Sequence, residues 1–181
     1  MKRTKATTLI LCCAVFAIAA RAETAEGQDF SVFMKVEGGG VSTNGEGPPG
    51  DFQDFLVCEK TYFGLFQEDQ LGAGGSRPAA DTFTCRAAIG PSTGPMTAAF
   101  IGGDLLNVEV VAIAPNQSPD PRQWPRVLEL TLQEAVLQRV RVSGGGEGVP
   151  VVQYDFIIRR FELRTFGGQP VGFDFERSEP L

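Results

Sequence analysis

Few side chains in this sequence belong to the types that carry out chemistry, and the absent ones decide most. The 181 residues contain no histidine, which excludes a histidine base, a histidine-containing triad and histidine metal ligation. Two carboxylate pairs, Asp51 with Asp54 and Asp174 with Glu176, could in principle serve as acid and base in sugar hydrolysis. Such spacing is ordinary for solvated charge, and that is the reading adopted. No Gly-Lys pair exists, so there is no P-loop. The glycine-rich run 143–148 (SGGGEG) reads as a hairpin turn, because glycine accepts positive φ. Arg139 with Arg141 and Arg159 with Arg160 fall on two facing stretches and are expected to pair with acids. No catalytic, cofactor or metal site is expected. Two cysteines remain as candidates for covalent chemistry, Cys58 and Cys85. They can close one bridge, worth roughly 3–4 kcal/mol by loop entropy, or stand as buried thiols.

The other two cysteines, Cys12 and Cys13, lie in a segment that does not belong to the fold. Residues 1–7 are basic, residues 8–20 (TLILCCAVFAIAA) are apolar, and Ala20-Arg21-Ala22 supplies an A-x-A cleavage pattern. The expectation is a signal peptide at 1–22 and one exported domain at 23–181, periplasmic or secreted, in a compartment that permits disulfides. The apolar run is too short to span a bilayer, and no later run is long enough. Losing the segment removes Lys2, Arg3, Lys5 and Arg21, so the formal charge moves from −6 to about −10. A chain so acidic is a poor match for nucleic acid, whose binding rests on phosphate attraction.

The elements that must position these residues are strands. With 22 Gly, 12 Pro and 14 Phe, the chain favours strands and turns over helices. Residues 29–37 (DFSVFMKVE) alternate, although Phe33 breaks the pattern. Residues 38–50 (GGGVSTNGEGPPG) read as an exposed loop. Residues 52–67 read as a long strand covered on both faces, 68–80 as a second glycine-rich loop, and 82–89 as an alternating strand. One short helix is expected at 96–101, capped by Ser92 or Thr93, with Pro95 in its first turn and Gly102-Gly103 at its end. A strand at 106–114 and a proline-rich loop at 115–125 follow. The long strand 127–142 places Leu128, Leu130, Leu132, Val136, Val140 and Val142 on one face. Its partner at 151–166 shifts parity between Ile158 and Phe161, which indicates a bulge near Arg159-Arg160. A last strand spans 171–175. About seven antiparallel strands and one helix suit a small barrel or sandwich.

In order and spacing these elements resemble the Hcp family, the tube proteins of bacterial type VI secretion, related in fold to phage tail-tube proteins. DFSVFMKVEG at 29–38 is similar to the family's opening strand. FLVCEKTYFGLFQ at 55–67 is similar to its second, with Phe63-Gly64 as the aromatic-glycine pair. Phe83-Thr84, Ser92-Thr93 and the helix follow as in the family, and LELTLQEAVLQRVRVSGGGEG with VQYDFIIRRFELRTF matches its long hairpin. The resemblance implies a mainly β, Hcp-like barrel without enzymatic activity or cofactor. It implies homohexameric rings that stack into a hollow tube carrying effectors, with effectors or other secretion-system proteins as further partners. It places Val41, Ser42, Thr43 and Asn44 in a ring-stacking loop. A signal peptide and the long 115–125 loop depart from the family, and fit an exported variant. The alternative is a monomeric secreted β-sandwich that binds a carbohydrate or protein ligand.

Overall fold

The computed structural model describes residues 30–43, 46–48, 50–69, 76–114, 125–144 and 149–181. The expected signal at 1–22 and most of the 115–125 and 143–148 segments lie outside them. Strand β1 (Ser31–Gly38) turns Met34 and Val36 into the interior, both fully buried. Phe33 breaks the alternation for a reason: it is buried on the outer face, in a second small core with Phe52, Phe55, Val111 and Ile113. Its ring stacks on Phe52 at 4.3 Å between centroids. The Arg126 guanidinium lies 5.8 Å over the Phe52 ring.

Two expectations for the next forty residues need correction. The run 38–50 is not a plain exposed loop. Gly39 and Gly40, at φ +57° and +75°, reverse the chain so that β2 (Val41–Ser42) pairs back onto β1. A side chain at position 39 would also strike Asp104 at 2.7 Å. Residues 52–67 do not form one strand. Phe52 and Phe55 sit in a turn that seals the outer core, and only then does β3 (Leu56–Tyr62) begin. After Phe63-Gly64 the chain leaves the main sheet as β4 (Leu65–Asp69), which pairs with β5 (Ser76–Ala80). The expected loop at 68–80 therefore contains the end of β4 and the whole of β5, with 70–75 outside the described residues. Pro78 is tolerated there because a two-stranded sheet has only edges.

The rest follows the apolar pattern more closely. In β6 (Phe83–Ala88), Phe83, Cys85 and Ala87 face inward, as alternation requires. Helix α1 (Thr93–Gly102) buries Met96 and Ala99, and Gly103 at φ +67° ends it. Ser92 occupies the N-cap position without a side-chain cap bond. The Glu46 carboxylate accepts the Ser92 N–H instead. Strand β7 (Leu105–Ile113) pairs with β1 on one side and with the long β8 (Arg126–Ser143) on the other. The return is divided into β9 (Val151–Ile157) and β10 (Arg160–Thr165), followed by β11 (Val171–Asp174) and β12 (Glu179–Pro180). The described residues thus hold twelve strands rather than about seven. The additional ones are short: β4 and β10 come from breaks inside runs that look continuous in sequence, β2 and β5 lie in expected loops, and β12 lies in the tail.

The main sheet orders its strands β12-β11-β10-β8-β7-β1-β3-β6-β9, and β9 pairs again with β8. That last pairing closes six strands, β8-β7-β1-β3-β6-β9, into an antiparallel barrel, while β10–β12 continue from β8 as an open wing. Closure removes the free edges from the barrel itself. The interior is filled by Met34, Phe83, Leu130, Leu132, Tyr154 and Phe156, all nearly inaccessible to water.

Strand β8 does not keep one face throughout, contrary to the even-numbered pattern. Leu130 and Leu132 point inward, but the next buried pair is Ala135 and Leu137. An extra residue is accommodated at Glu134, which takes φ +54°, where the β7 register shifts between Leu106 and Val108. A second shift, between Leu137 and Arg139, restores the parity so that Val140 packs on the core. The slip expected near Arg159-Arg160 falls at Ile158-Arg159, where the return strand is interrupted directly across from Glu134. Both strands bend at one level, and the wing departs there. Arg160 spans the bend, reaching Glu134 Oε2 at 3.5 Å and Asp174 Oδ2 at 2.8 Å.

Asp174 is buried and receives N–H bonds from Arg177 and Glu176. The Arg177 N–H first, then the Arg160 charge and the Glu176 N–H, hold its carboxyl below the usual carboxylate range against the opposing effect of burial. A depressed folded-state pKa stabilises the fold above the unfolded value of about 4, and that contribution disappears as pH falls through the folded pKa. Asp174→Asn should therefore be clearly destabilised at pH 7. Its deficit relative to the parent should shrink as both are titrated below pH 4. Urea midpoints across that range test this, and a deficit independent of pH would refute it.

Candidate assembly surfaces

The two carboxylate pairs occupy exposed or ion-paired positions. Asp51 and Asp54 are exposed in the turn before β3. Asp174 is committed to its own turn and to Arg160, and Glu176 pairs with Arg159 at 3.2 Å. Arg139 reaches Asp155 at 3.6 Å. Among the described residues no group of His, Cys, Asp or Glu is arranged to hold a metal ion. Cys58 on β3 and Cys85 on the adjacent β6 face the core and are joined by a disulfide, with Cα atoms 5.6 Å apart. A register shift between Cys58 and Lys60 sets the two cysteines diagonally across the strand pair.

What the surface offers is contact area. The segment assigned to stacking is fastened to its own barrel. Val41 and Thr43 are buried, and Ser42 is exposed. The Thr43 hydroxyl donates to the Asp54 carbonyl at 2.6 Å and accepts the Val36 N–H at 3.3 Å. Asn44 lies outside the described residues. Glu46 anchors the far side of the segment at the N-terminus of α1, and Gly47 N–H closes onto the Gln53 carbonyl.

The β4–β5 hairpin is placed differently. It contributes no strand to the barrel, and Leu65 and Phe66 are about half exposed. Its root is held by aromatic packing: Phe63 meets Phe161 edge-on at 5.7 Å, and Phe161 stacks on Phe175 at 5.7 Å. Between hairpin and wing an apolar groove of about 250 Å³ is left open, with Leu65 and Pro78 on one bank and Val171, Phe173 and Phe175 on the other. The phenylalanine-rich tail was visible in sequence, but the hairpin was not, because its strands are short and separated by glycines.

No family model matches the sequence, and no curated protein matches it. Solved structures do match in fold. Hcp1 from Salmonella typhimurium superposes with a TM-score of 0.70 at 14% identity, over 84% of this chain and 99% of that one. A type VI secretion system effector from Yersinia pestis gives 0.60 at 14% identity, over 79% and 98%. The secreted protein Hcp3 from Pseudomonas aeruginosa gives 0.58 at 11% identity, over 81% and 98%. The closed six-stranded barrel, its single helix and the appended strands are the fold of the Hcp proteins.

Proposed function

We propose that this chain is a non-enzymatic structural protein that assembles with copies of itself into six-membered rings, and that the rings stack into a tube. It does so outside the cytoplasm, after loss of residues 1–22, and an effector or another secretion component is its further partner. The observation that carries the reading is the barrel with a hairpin standing off it, a fold shared with Hcp structures over nearly their whole length. A closed barrel offers no edge for strand pairing, so copies must meet through walls or projecting elements. A head-to-tail contact that closes makes a ring. We assign the reach toward a second ring to the β4–β5 hairpin, since Val41, Thr43, Glu46 and Gly47 are tied down within the protomer. A subunit charge near −10 repels like surfaces across a stack, and salt screens that repulsion.

Native mass spectrometry and negative-stain imaging of the exported protein, beginning at Glu23, test the reading. Six-membered rings are expected that stack more readily as salt is raised. Replacing Leu65 and Phe66 with Asp should leave the ring and abolish stacking. A monomer at every concentration and salt would reject ring assembly in favour of a monomeric ligand-binding barrel.

A further inference from the structure

The chain is acidic as a whole, yet its basic residues are not spread evenly. Cross-strand register aligns Lys60, Arg86, Gln153 and Arg141 in one outward row across β3, β6, β9 and β8. The adjacent row sets Thr84, Asp155 and Arg139 side by side. Within this wall Arg86 is shared with Glu59 at 3.5 Å and Arg139 with Asp155 at 3.6 Å. Lys60 and Arg141 are exposed and form no ion pair among the described residues.

A second outer surface has the opposite character. On β1, β7, β8 and β10 the outward row reads Lys35, Glu109, Thr131, Glu162. Glu37 and Asn107 pair in the row on one side, and Glu129 pairs with Arg164 on the other. Lys35 is bound to Glu37 at 2.7 Å, and Arg164 lies 3.8 Å from Glu162 and 3.9 Å from Glu129. Arg126 also binds Glu129 at 2.9 Å, so that four carboxylates face three cations there. A cavity of about 180 Å³ opens between Lys35, Glu37, Asn107, Glu109 and Thr131. Glu37 and Glu109 on its lining can accept the head of a long basic side chain.

We propose that these two walls are the contacting faces of neighbouring copies, with Lys60, Arg86 and Arg141 of one copy set against Glu109 and Glu162 of the next. The inference rests on the self-association reading and names the surfaces that it leaves open. The occupant is a second copy because the complementarity is internal to the chain: one protomer carries both signs, on different strands. A contact between different faces is heterologous, which is the kind that closes into rings. Paired rows of opposite charge fix register and speed encounter, whereas like walls repel. Salt should act here in the sense opposite to stacking, weakening the contact within a ring.

Charge reversal with complementation is the test. Lys60→Glu with Arg141→Glu makes both walls acidic, and Glu109→Lys with Glu162→Lys makes both basic. Each double variant alone should associate roughly tenfold or more weakly than the parent. An equimolar mixture should recover oligomers with an even number of protomers, which native mass spectrometry resolves because the two variants differ in mass. Circular dichroism and thermal melting establish that each variant is folded. If the basic-wall variant of Glu109 and Glu162 does not fold, Glu109→Gln with Glu162→Gln replaces it, read as a loss of salt dependence. A parent that assembles while both reversals also assemble would overturn the wall pairing and leave ring formation intact, as would reversals that fail alone and fail together. A parent that never assembles would reject the self-association reading itself.

Discussion

Replacing Cys58 and Cys85 together by alanine is expected to lower the stability of the protein by roughly 3–4 kcal/mol. The bridge joins residues 27 apart in sequence, on two strands that are neighbours in the barrel. Its main effect is to restrict the unfolded chain, which loses loop-closure freedom that the folded chain never had. A Cα separation of 5.6 Å is normal for a bridged pair. Both sulfurs also face the core, Cys85 wholly inaccessible and Cys58 nearly so. Reductant should therefore reach them slowly unless the protein unfolds. For a domain of this size such a loss corresponds to roughly 10 °C in melting temperature. Calorimetry of the oxidised and reduced protein and of the double-alanine variant measures it. Two free thiols titrated in denaturant without reductant would remove the basis of the prediction.

The bridge illustrates what could be read from the residues. Its two cysteines were the only pair outside the expected signal at 1–22, and Cys85 shares a face with Phe83 and Ala87. Whether the sulfurs meet, however, depends on β3 and β6 being adjacent, and strand order is set by tertiary contacts. The short helix was legible because Pro95, Gly102 and Gly103 punctuate it at both ends. Strand existence in the long hairpin was legible from period-two patterning. Its parity was not. The face change at Glu134 requires a positive φ that nothing in the sequence marks, since glutamate is not a residue that favours it. Phe33 looked like an error in an alternating strand until the outer core appeared around it. Exposure was misjudged at 38–50 because six glycines and two prolines hide Val41 and Thr43, which the barrel buries. The two charged walls were present in the sequence as scattered residues. Only register brings Lys60, Arg86 and Arg141 into one row, and register was not available before the strands were paired.

Phe161→Ala should produce the other large effect, about 3–5 kcal/mol, typical of removing a buried phenylalanine ring. Phe161 is 4% exposed, stands opposite Leu132 and Phe173, and touches both Phe63 and Phe175. It thus belongs to three parts at once: the barrel core, the root of the β4–β5 hairpin and the C-terminal wing. A cavity there should not be filled by collapse, because the groove beside it is already open. The consequence should extend past global stability. With Phe63 released, the hairpin loses its aromatic anchor and retains mainly its own ladder from Leu65–Ala80 to Asp69–Ser76. An isolated two-stranded hairpin is marginal in water. Hydrogen exchange of amides in β4 and β5 should rise much more than exchange in β1 and β7, whose ladders do not pass through Phe161. On the proposed assembly, stacking of rings should weaken more than ring formation, whose proposed contacts lie mostly on barrel strands. Phe161→Leu keeps most of the volume and should restore much of both properties. Uniform loss of protection across the barrel and the hairpin would show that Phe161 supports the fold as a whole and does not link the hairpin to it.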